Sequence, residues 1–162
     1  MNLFGVMETS GSAMQAERLR AEVVAANMAN AETTRTEAGG PYRRQMVVFA
    51  ADNNDAFRTS FHQAADSRLR YASGSANLGL TGGAVAPGVE VAGVVEDTAE
   101  PLRRYDPGHP DAGRDGYVSY PNINPLSEMV DLMGATRAYG LNGSAVQAEK
   151  SMIASAIEIA KT

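Results

Sequence analysis

Cysteine is absent from the 162-residue sequence, which removes disulfides, thiolate zinc sites and a cysteine nucleophile together. Tryptophan is absent too, and aromatics make up 6% of the chain against 44% hydrophobic residues. The apolar content therefore rests on Ala, Val, Leu and Met, small or pliable side chains suited to helix packing. Basic charge is scarce: 14 Lys and Arg against 19 Asp and Glu leave a net charge of −5. No basic cluster stands out beyond pairs such as Arg43-Arg44 and Arg103-Arg104. Binding a phosphate backbone needs many basic contacts, and a membrane-surface helix needs a basic polar face, so neither nucleic acid nor membrane is an expected partner. No run approaches the roughly 18 apolar residues of a membrane span, so no direct membrane insertion is expected. Met1 to Glu8 lacks the basic and apolar regions of a secretory signal peptide.

Proline is missing from both ends, and what stands there reads as helix. From about Met7 to Ala31, Met7, Met14, Ala21 and Met28 recur at helical spacing, with Ala16, Leu19, Val23 and Ala26 on an adjacent strip. At the other end, Asn124-Pro125 is a start signal, because Asn caps a helix and Pro fits its first turn. From there to Lys161 one column repeats every seven residues: Leu132, Tyr139, Val146, Ile153 and Ala160. The positions between are mixed, Ala135, Asn142, Glu149 and Ala156, so the column predicts a seam with partners of several kinds. A helix of roughly 37 residues would run about 55 Å. A globule of this size has a radius of gyration of only about 15 Å, so part of the helix must project beyond any single core.

The middle differs. An extended segment is expected over Pro41 to Phe49, a long polar loop over 51–86, and strands at Val89 to Val95, Leu102 to Tyr105 and Tyr117 to Tyr120. A small antiparallel sheet is the natural arrangement. The expected fold is α+β: long terminal helices packed as a coiled-coil-like stalk, with a small antiparallel β domain and a variable loop between them. Three segments follow: 1–36 helical, 37–121 β with the insertion 51–86, and 122–162 helical.

Candidate chemistry is confined to one loop. His109 with Asp106, Asp111 and Asp115 is the one cluster that looks catalytic or metal-binding. Asp111 to Gly116 has the start of a calcium loop, but its third position is Gly113 and its twelfth is Asn122 where an acid is needed. A zinc site has only His62 to add, and it lies in the variable loop. The bland alternative is a rigid turn set by Pro107, Gly108, His109, Pro110 and Gly116, with Asp111 and Asp115 accepting from backbone N–H groups. Gly39-Gly40 and Gly82-Gly83 lack the lysine and spacing of phosphate-binding loops and read as turns.

Two stretches resemble a known family. Ala26 to Thr34, followed by Gly39-Gly40-Pro41-Tyr42-Arg43-Arg44, is similar to the N-terminal signature of bacterial flagellar rod and hook proteins. Tyr105 to Asp111, then Asp115 to Asn122, then Glu128 to Asp131, Thr136 to Tyr139 and Asn142 resemble the proximal-rod subunits of that family. The likeness covers about residues 1–50 and 88–162.

The resemblance implies a structural subunit with no catalysis and no cofactor. It implies export by the flagellar type III apparatus and assembly in the periplasm around a central channel. The implied partners are copies of the chain, the proximal-rod subunits FlgB and FlgF, the distal-rod FlgG, the rod-base adaptor FliE and the MS ring. The residues it puts at the assembly interface are Asn27, Asn30, Leu132, Arg137, Tyr139, Asn142, Val146 and Ile153. For Asn27 and Asn30 the alternative is a local role beside the turn that follows the first helix. For Tyr139 it is the core, and for Arg137 a solvated charge. Other readings are a different rod or hook subunit, a dimeric coiled-coil adaptor, or a small enzyme centred on Asp106, His109 and Asp111.

Overall fold

A computed structural model describes residues 3–52 and 88–161. The chain begins with helix α1, Leu3–Ala29, four residues earlier than the Met7 start expected from periodicity. Strands β1, Gln45–Asp52, and β2, Gly88–Glu96, follow. Strands β3, Leu102–Tyr105, and β4, Tyr117–Tyr120, lead into helix α2, Pro125–Ala160. Of the expected loop over 51–86, Ala51 and Asp52 belong to β1; its remaining residues, with His62 and Gly82-Gly83, lie outside the described residues.

The start of α2 follows from local chemistry. Asn124 holds an extended backbone and its side chain accepts from the Leu126 N–H at 3.0 Å, while Pro125 fills the first turn where its missing N–H costs nothing. Glu128 stands in that first turn, on the favourable end of the helix dipole. After α1 the chain reverses through Gly39 and Gly40, at φ +83° and +84°, a left-handed conformation that a side chain would strain. The Thr36 N–H closes this turn on the Gly40 carbonyl at 2.9 Å.

The helices run antiparallel. Asn27 meets Glu128, Arg20 meets Asp131, and Met14 Sδ lies 3.8 Å from where a Cβ on Gly143 would stand. As residue numbers fall along α1 they rise along α2. At about 1.5 Å per residue α1 is about 40 Å long and α2 about 54 Å. Eleven residues back from Met14 is Leu3, and eleven on from Gly143 is Ala154, so the last turn and a half of α2 passes the first residue of α1. Ile157, on the side of α2 that faces α1 lower down, is accordingly 52% exposed.

The strands form two separate two-stranded antiparallel ribbons, where one small sheet was expected. β1 pairs with β2 from Gln45 opposite Glu96 to Asp52 opposite Gly88, with a bulge between Val48 and Phe49. β3 pairs with β4 from Leu102 opposite Tyr120 to Tyr105 opposite Tyr117. A two-stranded ribbon is marginal alone. The first leans on α1, where the Val89 N–H donates to Ser12 Oγ at 3.1 Å. The buried apolar side chains are few and mostly small: Ala16, Val23, Val24, Val118, Ile123 and Ala135 among the described residues.

Candidate assembly interface

One polar knot ties the three regions together. Asn27 on α1 is fully buried, and its amide uses all of its hydrogen-bonding capacity inside the chain. Nδ2 donates to the Gln45 carbonyl at 2.8 Å and to Glu128 Oε2 at 3.1 Å. Oδ1 accepts from the Gln45 N–H at 2.9 Å and from the Tyr42 hydroxyl at 3.3 Å. Glu128 on α2 is also fully buried, and Oε1 accepts from Arg44 Nε at 2.6 Å. Arg44 Nη2 lies 3.6 Å from Asp131, whose other oxygen is 3.3 Å from Arg20 on α1. A buried carboxylate is tolerable only when paired and hydrogen-bonded, and Glu128 has both. Burial pushes the Tyr42 phenol above its ordinary value, and the carboxylates of Glu96 and Glu128 add to the shift.

In the isolated chain the Asn27 side chain therefore holds α1, β1 and α2 to one another. Asn30, half-buried, donates to the Ala26 carbonyl at 2.9 Å and accepts from Thr33 Oγ1 at 3.2 Å. It ends α1 beside the turn, the local alternative.

The Asp106 to Gly116 loop is closed on itself. The His109 N–H reaches the Asp106 carbonyl at 3.3 Å, Ala112 N–H the His109 carbonyl at 3.0 Å, and Gly113 N–H the Tyr117 carbonyl at 2.9 Å. Gly116 sits at φ +76°, where a Cβ would stand 2.7 Å from the Tyr105 ring, so backbone and packing both require glycine there. His109 Nδ1 accepts from the Asp111 N–H at 3.1 Å. The Asp111 carboxylate faces the other way, accepting from Thr34 Oγ1 at 2.8 Å with Arg35 3.7 Å off. Asp115 is held by the Tyr117 N–H and Arg103, which lower its carboxyl below the ordinary range, the backbone hydrogen bond foremost. The groups an enzyme would need to converge are thus turned to separate structural partners. Among the described residues no three His, Asp or Glu side chains are grouped to hold a metal.

On α2 the seam differs from the one read in the sequence. The residues buried against α1 are Glu128, Ala135 and Glu149, with Asn142 half-buried and donating to the Ala138 carbonyl at 2.9 Å. This is the column that looked mixed. The apolar column flanks it: Leu132, Val146 and Ile153 are half-buried, Tyr139 is 45% exposed and Ala160 exposed. Arg137 is exposed.

The opposite side of α2 carries Leu126, Val130, Met133, Arg137 and Leu141, all exposed. Steps of three and four residues put them on one helical face. Gly134 and Gly140, on the same side, have open space where a Cβ would stand. Sequence reasoning missed this second stripe, although its spacing is legible, because the seven-residue column took the apolar positions first.

Residues 7–35 match the family described as flagella basal body rod protein, and residues 114–159 match the C-terminal region of flagellar basal body rod FlgEFG proteins. The chain is 40% identical to the flagellar basal-body rod protein FlgC of Bacillus subtilis, over 99% of this chain and all of that one. It is 36% identical to FlgC of Borreliella burgdorferi over 98% of each, and 34% identical to FlgC of Salmonella typhimurium over 94% of each.

Proposed function

The chain belongs to the family of the flagellar basal-body rod protein FlgC, and from that premise we propose that it builds the rod by polymerising through its two terminal helices. It is a structural subunit of the flagellar basal body and not an enzyme. The observation that carries the polymerisation reading is the state of α2. One face is closed on α1, while the opposite face leaves Leu126, Val130, Met133 and Leu141 uncovered on a single stripe. An apolar stripe of this kind is covered by a partner in the working state of a protein. Arg137, in the middle of that stripe, and the exposed edge at Tyr139 are the family positions best placed to reach a neighbour. Asn142, Leu132, Val146 and Ile153 back them from the side facing α1.

In this reading segments 1–36 and 122–162 form an inner layer and 37–121 an outer β part. The site of action is the proximal rod in the periplasm, reached through the flagellar type III apparatus. The neighbours are further copies of the chain, FlgB, FlgF, FlgG, FliE and the MS ring.

The test is an in-frame deletion with basal bodies examined by electron microscopy. Rings lacking a completed rod and hook, restored by the wild-type gene, are the expected result. Normal flagella in the deletion strain would overturn the reading.

A further inference from the structure

Among the described residues two glutamates lie buried in the α1–α2 seam, and of the two Glu128 alone has an answering charge. Glu149 is 4% exposed, and its Oε2 has no hydrogen-bond partner among the described residues. Glu17 Oε2 also lacks a hydrogen bond, but Arg20 Nη1 stands 3.7 Å from it, at ion-pair distance. Among the described residues Glu149 has no such cation. The Met14–Gly143 register, carried six residues on, sets it against the first turns of α1 near residue 8, beside buried Ser10. The sequence shows why the facing helix cannot answer it: α1 holds no Lys or Arg before Arg18. Within α2, the residues three and four away on either side are Ala145, Val146, Met152 and Ile153, none of them basic. Lys150 is exposed and Arg137 lies on the opposite face.

A buried carboxylate oxygen without a hydrogen-bond partner opposes the packing around it, and a cation brought by a partner would offset that cost. Resting on the rod reading above, we infer that Glu149 is the acceptor half of an ion pair between subunits. The donor is a Lys or Arg side chain of the adjacent rod subunit, entering beside the first turns of α1. The unpaired charge keeps that end of the helix pair loose in the free chain, and the incoming cation tightens it on assembly. Joining the polymer and ordering the stalk end are then one event.

The test uses Glu149→Gln, which keeps the size and removes the charge. The purified variant should melt a few degrees above the parent, because the uncompensated charge is gone. Supplied to the deletion strain, the same variant should complete at least tenfold fewer rods than the wild-type gene. A lower melting temperature would overturn the inference, since Glu149 would then be answered within its own chain. Normal rod numbers with a raised melting temperature would overturn it as well, since no subunit would be using the charge. The wild-type gene must restore rods in that strain; its failure would count against the rod reading and not against the charge pair.

Discussion

The two ends of the helix pair are built on opposite terms. At one end Asn27, Tyr42, Arg44, Glu128 and Asp131 satisfy one another across three regions of the chain. At the other, 21 residues along α2 from Glu128, Glu149 is buried without an answering charge among the described residues, and α2 runs on past α1. About 31 Å separate the two glutamates along the helix. Burial alone therefore says little about what a charged residue does. The same residue type in the same heptad column is a fastening at one end and an open valence at the other. The difference lies in what the facing segment supplies: Asn27 and Arg44 for Glu128, and no basic residue for Glu149.

The largest effect should come from breaking the closed end. Glu128→Ala leaves Arg44 and Asn27 without their shared acceptor in a buried site and should cost about 3–5 kcal/mol, the range for breaking one partner of a buried ion pair. Denaturant unfolding of the purified chain would read this, and a loss under about 1 kcal/mol would mean that the knot is ornamental. Asn27→Ala should come next, at about 2–3 kcal/mol, because Gln45 and Glu128 keep unsatisfied buried groups.

Breaking the open end should have the reverse profile. Truncation from Ile153 onward removes little buried surface, so the melting temperature should barely move while incorporation into rods is abolished. Wild-type motility from that truncation would contradict the division between the ends. Asn124→Ala removes the cap that starts α2 and should cost about 1 kcal/mol, sharpening the estimate of how much of the closed end is helix start and how much is the knot.

The smallest effect concerns pH. The folded state depresses the Asp115 carboxyl, so its contribution is present above the unfolded pKa, about 4, and is lost as pH falls through the folded value. The melting difference between parent and Asp115→Asn should shrink toward zero as a titration goes from neutral pH down to pH 2. A constant difference would mean that Asp115 acts by shape and not by charge.

The parts of this architecture readable in the sequence are those governed by neighbours along the chain. The Asn124-Pro125 start of α2, the absence of proline through α1 and through α2 after Pro125, and the turn formers from Asp106 to Gly116 each act within a few residues, and α2 and the turn lie where those signals put them. The seam was less legible. A column of Leu132, Val146 and Ile153 looks like a core, and one containing Glu128 and Glu149 looks like a surface. Deciding otherwise requires knowing that Arg44 and Asn27 arrive beside Glu128, a fact of tertiary structure alone. The split of the strands into two ribbons was hidden for the same reason, since each pairing depends on partners that local pattern does not specify.

The knot also sets a limit on when the fold can exist. Asn27 and Glu128 are 101 residues apart in sequence, and Arg44 and Glu128 are 84 apart. Contacts so distant along the chain form slowly, because a long loop must close before they return anything. Until the long stretch between them is free to fold back, the two sides of this fastening cannot meet, and the regions they join stay untied.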